Sequence, residues 1–246
     1  MRAGRQALSW GNGLYFHPLD LVNPFDPTTI DTEYKTGDDM LYLQYLRGNG
    51  HDVQAAAVFR RDALTGERRS DEGTVAVKYH GFAGEHEYDI LVGENLGNPV
   101  LGLGAVGSFG GAVWRGDLVV TDTDDETRVE FVTNVSYSWT WSDRNVSGSA
   151  EFYRSGEDRN YFAGSLMVEM TPLWILTPTL ISSIDDPSAL LQVVTQYSLG
   201  DNATFLGSLN VPLGGNGTEF GGPETGIPGR YLSLDVGVFA QLAWYF

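Results

Sequence analysis

The chain contains no cysteine. That absence excludes disulfides, thiolate metal sites and a cysteine nucleophile together, and with them a small disulfide-stapled scaffold. Basic residues are scarce: 15 Lys and Arg stand against 32 Asp and Glu, a net charge of −17. A surface this acidic repels phosphate backbones, so nucleic acid is not an expected partner. A long apolar helix is missing as well. The longest charge-free run, Asn95 to Trp114, is long enough to cross a membrane as a helix, but it alternates Gly or Ala with Val, Leu or Phe and carries six glycines. Glycine at that density disfavours a helix, so an α-helical membrane protein is not expected. The opening MRAGRQALSW has neither an apolar h-region nor a cleavage site, and no signal peptide is read there.

What the sequence holds in quantity is Gly and aromatics: 31 Gly, 12 Tyr, 12 Phe and 6 Trp in 246 residues. This bias suits sheets and argues against a helix bundle. Period-2 alternation recurs in segments of about ten residues separated by turn chemistry. In Thr127 to Trp141, Val129, Phe131, Thr133, Val135, Tyr137, Trp139 and Trp141 oppose Arg128, Glu130, Val132, Asn134, Ser136, Ser138 and Thr140. Asn145 to Arg154, Asn202 to Val211 and Arg230 to Phe246 split in the same way. Weaker alternation begins near Ala3, Met40, Val53, Thr74, Tyr88, Val100, Ala112, Tyr161, Leu173 and Leu190. The expected fold is all-β, with about 14 strands and no helix.

The connections add a second signal. Those after odd-numbered strands include Gly11–Asp39, Arg61–Gly73, Asn95–Pro99, Asp122–Glu126, Ser155–Asn160, Ser183–Ser188 and Gly214–Gly229; the intervening ones are tight. Long and short connections alternate when every strand crosses a bilayer and one side tolerates longer loops. The expectation is therefore an antiparallel up-and-down transmembrane β-barrel, a single domain over 1–246, closed because lipid satisfies no open sheet edge. A soluble β-sandwich also alternates and is the rival reading. Large aromatics near strand ends, such as Tyr137, Trp139, Trp141 and Trp244, favour the barrel.

The closing YLSLDVGVFAQLAWYF resembles the C-terminal strand of Gram-negative outer-membrane β-barrels, which their assembly machinery recognises by a terminal aromatic, here Phe246. Gly4 to Pro27, GRQALSWGNGLYFHPLDLVNPFDP, is similar to a pattern in uncharacterised porin-like barrels related to the alginate-export type. Asp185 to Gly214 is similar to the last hairpins of the same proteins. The resemblance implies an outer-membrane location, contact with lipid and lipopolysaccharide, and passage of small solutes. It also implies an export signal and further strands ahead of the Gly-Arg-Gln segment. Either Met1 is internal to a longer reading frame or the start of a truncated chain, or the chain is a smaller complete barrel with its signal removed.

Fourteen strands leave room for a water-filled or loop-narrowed passage. The alternation places Lys78, His80, Asp89, Arg128, Glu130, Glu151, Glu169 and Asp235 on the lumen face, with Gln192, Gln196 and Gln241 as neutral lining. Acids outnumber bases among them, which predicts a mild cation preference. The segment 11–38 carries Pro18, Pro24 and Pro27, which cannot donate to a ladder, and is too apolar to stand free in water. It is expected to fold into the mouth as a constriction through Phe16, Pro18, Asp20, Asn23, Pro24, Phe25 and Asp26; an external cap or an oligomer contact is the alternative.

Other motifs read blandly. Gly102, Gly104 and Gly107 spell a dinucleotide-binding fingerprint but lack the helix it needs. Asp122, Asp124, Asp125 and Glu126 form a weak calcium candidate without EF-hand spacing, for which a solvated loop is the simpler account. His17, His51, His80 and His86 show no spacing typical of a catalytic triad, so no catalytic residue and no cofactor is expected; a barrel with a structural or surface-enzyme role is the alternative to a channel.

Overall fold

The computed structural model describes residues 1–31, 34–61, 72–232 and 235–245. Its strands are β1 (Arg2–Gln6), β2 (Asp38–Leu46), β3 (Asp52–Val58), β4 (Thr74–Ala83), β5 (His86–Asn95), β6 (Asn98–Phe109), β7 (Ala112–Asp122), β8 (Thr127–Trp141), β9 (Arg144–Arg154), β10 (Asn160–Thr171), β11 (Trp174–Ser183), β12 (Ala189–Gly200), β13 (Ala203–Leu213) and β14 (Gly237–Trp244). All 14 strands belong to one up-and-down antiparallel sheet in sequence order, with β1 and β14 at the two ends of that order. Among the described residues there is no α-helix. The chain gathers into two compact units: Met1–Asn134 with Tyr153–Glu157, and Val135–Phe152 with Asp158–Phe246.

Directly paired residues of an antiparallel ladder share a face, so the register sorts the side chains. In the first unit one face carries Leu41 and Leu43, Ala55 and Ala57, Val75 and Val77, Ile90 and Val92, Leu101 and Leu103, and Leu118, each set paired across to the next strand. Most of these are large side chains left exposed. Charge enters this face only toward the loop end, as the Arg5–Asp39 pair and Glu94. The opposite face carries Met40, Tyr42, Asp52, Ala56, Thr74, Lys78, Asp89, Leu91, Asp117 and Val119, all buried.

The second unit repeats the division. Trp174, Leu176, Pro178 and Leu180 pair with Tyr197, Thr195, Val193 and Leu191. Those in turn meet Phe205, Gly207, Leu209 and Val211, and the row ends on Val238, Ala240 and Leu242. On β11 to β14 this face holds no charged residue; Ser182 and Thr195 are polar members of it, and Thr195 accepts the Trp174 indole N–H at 2.8 Å. Its reverse carries Thr179, Gln192, Ser208, Asn210 and Gln241.

The turns opposite the loop end follow from local chemistry. Gly110 and Gly111 have φ of 56° and 85°, and Ser142 and Asp143 have 49° and 60°. Two positive φ values in a two-residue connection match the right-handed twist of the strands they join. Two expectations are corrected. Asn95–Pro99 is not a longer loop: Asn95 pairs with Asn98, and Leu96 (φ 52°) and Gly97 (φ 78°) make the same tight turn. The last strand starts at Gly237, not Arg230, because residues 223–232 hydrogen-bond among themselves, Leu232 N–H to Pro223 O at 3.0 Å and Thr225 N–H to Arg230 O at 2.8 Å. Those backbone groups are taken by a local hairpin and cannot join the ladder. Phe246, Ser233, Leu234 and residues 62–71 of the Arg61–Gly73 connection lie outside the described residues.

Candidate functional site

The segment between β1 and β2 packs on the polar face of the first unit, opposite the exposed apolar face. Trp10, Leu19, Leu21 and Val22 form one buried cluster with Met40, Tyr42, Ala56, Val58, Ala76, Leu91, Val100 and Val119. Leu19 has no exposed surface and Val22 1%. Burying side chains of this size stabilises the docked segment by about 1.5–3 kcal/mol each. Gly102 makes room for it: a Cβ there would lie 2.1 Å from Leu19 Cδ1.

Polar anchors fix the register of the segment. Asp117, 1% exposed, accepts Asn12 N–H at 2.6 Å and the Asn12 side-chain amide at 2.7 Å. The Asn134 amide donates to Asn12 O at 3.0 Å. Trp10 Nε1–H and the Tyr42 hydroxyl both donate to Gln54 Oε1, at 2.7 and 3.0 Å. Lys35 Nζ donates to Asp20 Oδ2 at 2.5 Å, Leu8 O at 2.5 Å and Ser9 Oγ at 2.9 Å, so all three ammonium protons have acceptors. The Lys35 and Asp20 side chains are 7% and 6% exposed. Burial pushes the Asp20 carboxyl above its ordinary value, against the opposing pull of Lys35. Burial likewise holds His17 below its ordinary value, outweighing the upward pull of Asp20.

At the loop end the segment leaves an open cavity of about 560 Å³ against the polar face. Phe16, Pro18, Asp20, Asn23, Pro24 and Phe25, the residues expected to constrict the mouth, all line it. Asp26 does not; it accepts from Thr28 N–H at 2.8 Å and stabilises the loop's own turn. The far wall is Arg60, Thr121, Val119, Glu130 and Tyr153. Phe16 stacks on Tyr153, centroids 4.5 Å apart and 12° between planes, and Tyr153 donates its hydroxyl to Glu130 Oε1 at 2.5 Å.

The other expected lining residues are placed as follows. Lys78, His80 and Asp89 come together: Lys78 Nζ is 3.1 Å and His80 Nδ1 3.0 Å from Asp89 Oδ1. The second ring nitrogen of His80 faces Glu87 at 3.9 Å, so both nitrogens meet carboxylates. Glu151 is 1% exposed; Gln192 is buried and donates to Asn210 at 2.9 Å. Glu169 accepts from Asn145 at 2.6 Å. Gln241 sits on the polar face of β14 opposite Leu206. Gln196 is exposed, and Arg128 is 46% exposed and paired with Glu126 at 2.9 Å. Asp235 precedes β14 and so lies in a connection, for the same reason that the strand starts late.

Among the described residues no group of three or more His, Asp or Glu comes together that could hold a metal. Asp122 is turned to the Thr127 hydroxyl and Glu126 to Arg128, so these carboxylates do not converge with Asp124 and Asp125. Gly102, Gly104 and Gly107 lie inside β6, with no helix after them. Sequence reasoning missed Asn12, Lys35, Arg60 and Asp117. Asp117 alternates in phase with Val119 and Thr121, so parity alone could have found it. No family model matches the chain, and no curated protein matches it.

Proposed function

We propose that the chain is a porin-like β-barrel of a Gram-negative outer membrane, through whose lumen small solutes pass, with 11–37 narrowing the mouth. The observation that carries this reading is the inversion of the two faces. In each unit the exposed face is apolar and the buried groups include Lys78, Asp89, Asp117 and Glu151. A soluble sandwich presses its apolar faces together; hydrocarbon is the environment that an exposed face of Leu, Val and Trp suits.

The aromatics support the reading further. Tyr45, Tyr79, Tyr88 and Trp114 in the first unit, and Trp139, Trp141, Trp174, Tyr197 and Trp244 in the second, stand on the apolar face beside the tight turns. This is where an interfacial girdle belongs. The Trp114 indole N–H donates to Thr133 at 2.9 Å, as Trp174 does to Thr195, so neither is left without an acceptor where water is absent. A strand of about ten residues tilted by about 40° spans about 25 Å, the height of an outer-membrane apolar band. In such a setting the two ends of the sheet close on a strand partner, and a C-terminal aromatic serves recognition by the assembly machinery.

The polar face sets selectivity. Asp52 accepts from Gln44 and Gln54, and Asp117 from Asn12, so amides rather than cations satisfy these acids. A mild preference for cations follows. The test is purification and planar-bilayer recording. The barrel needs detergent, migrates differently on gels before and after heating, and conducts with a cation-selective reversal potential. A chain that keeps its sheet spectrum in plain buffer refutes the membrane reading, and an anion-selective current refutes the lumen assignment.

A further inference from the structure

We infer that the 560 Å³ cavity under segment 11–37 binds a small amphipathic organic cation, an ammonium carrying an apolar body, with Glu130 as its counter-charge. The volume lies in the range of small-molecule sites. Its walls are unusual for a polar lumen: Phe16, Phe25 and Tyr153 supply rings, and Pro18, Pro24 and Pro27 supply rigid apolar surface without backbone donors. Rings and prolines take up an apolar body and favour a cation over their faces.

The charges on the lining cancel except for one. Asp20 is neutralised by Lys35 at 2.5 Å. Arg60 gives Nε–H to Asp38 at 3.1 Å and three further N–H groups to Thr74, Glu72 O and Leu21 O, so its charge is paired and four of its five donors are taken. His17, held below its ordinary pKa by burial, is neutral at neutral pH. Glu130 receives the Tyr153 hydroxyl and, among the described residues, pairs with no cation. That bond and the Phe16–Tyr153 stack hold the carboxylate in place while leaving its second oxygen to a ligand. The pocket therefore combines an apolar enclosure with one pre-oriented negative charge, and this combination selects a hydrophobic ammonium over a sugar or an acid.

The inference rests on the channel reading for one thing, access from the lumen. The test is calorimetric titration of the full chain in detergent micelles with benzyltrimethylammonium, phenylacetate and benzyl alcohol. The cation is expected to bind at least about tenfold more tightly than the other two, and Glu130→Gln to remove about that factor. Tyr153→Phe keeps the stack and loses the orienting hydroxyl, and is expected to fall between. Equal binding of the three probes, no binding of the cation at millimolar concentration, or an unchanged affinity in both variants overturns the proposal. Should Glu130→Gln fail to show the heat-dependent mobility of the folded protein, Glu130→Asp and Tyr153→Phe carry the test. Conductance is recorded on the same protein: current without cation binding refutes this site alone, and cation binding without current refutes the channel alone.

Discussion

Replacing Lys35 by Met leaves the Asp20 carboxylate in a site where 6% of its side chain is exposed, with the ammonium that pairs it removed. Breaking a buried pair from one side costs about 3–5 kcal/mol. The substitution also strips an acceptor's partner at Leu8 O. At 1.4 kcal/mol per factor of ten, docking of 11–37 should weaken by about a hundredfold to several thousandfold at pH 7.5. Hydrogen exchange of the segment's amides reads this directly, with the strands as internal standard. Burial already raises Asp20, and Lys35 is the group pulling it back down. Without Lys35 the carboxyl rises further and takes a proton in the docked state. A carboxyl raised in the docked form favours docking below its free value and loses that contribution as pH rises through the raised value. Protection in K35M should therefore return as pH falls toward 4, measured in a His17→Gln background so that only one group titrates. The double variant Asp20→Leu with Lys35→Met, which removes both charges of the pair, should recover most of the protection at pH 7.5. Unchanged exchange in K35M, or no recovery in the double variant, refutes the claim that this pair holds the segment.

Gly102→Val drives a side chain into the space of Leu19, whose Cδ1 would be 2.1 Å from the new Cβ; overpacking of about 1–3 kcal/mol should release 11–37 while sheet content by circular dichroism stays the same. Val77→Lys places a charge mid-strand on the exposed apolar face and should cost about 2–4 kcal/mol in vesicle unfolding, against less than about 1 kcal/mol for Gln196→Lys on the other face. Equal small effects from the two would contradict a lipid-facing surface. In the wild-type chain, a histidine held below its ordinary value stabilises docking above pH about 6.5 and loses that contribution as pH falls through its lowered value. Protection factors in 11–37 should fall as pH drops below about 6.5, and His17→Gln should flatten that limb of the profile.

Much of the fold was legible because alternation is local. Whether Val77 or Lys78 faces inward depends only on parity, and the strand count follows from where the alternation stops. The same logic joined Lys78, His80 and Asp89, since residues in phase on neighbouring strands meet across the ladder. It failed where local chemistry competes with the ladder. At Leu96 and Gly97 a two-residue turn replaced an expected loop, and at 223–232 a small hairpin took the hydrogen bonds that alternation alone would have assigned to a strand.

By itself, then, the sequence determined an all-β chain of 14 antiparallel strands with one apolar and one polar side, because side-chain direction in a strand is a period-2 property of neighbouring residues. Its composition also foretold that 11–38 would pack against something, since so apolar a segment with three prolines neither joins a ladder nor stays in water. Only the tertiary structure decided what that something is. Asn12 meets Asp117 across 105 positions of chain, and Asp20 finds Lys35 only once both are buried. Which acids end up paired with cations, and that Glu130 does not among the described residues, depends on such distant contacts; no periodicity encodes them.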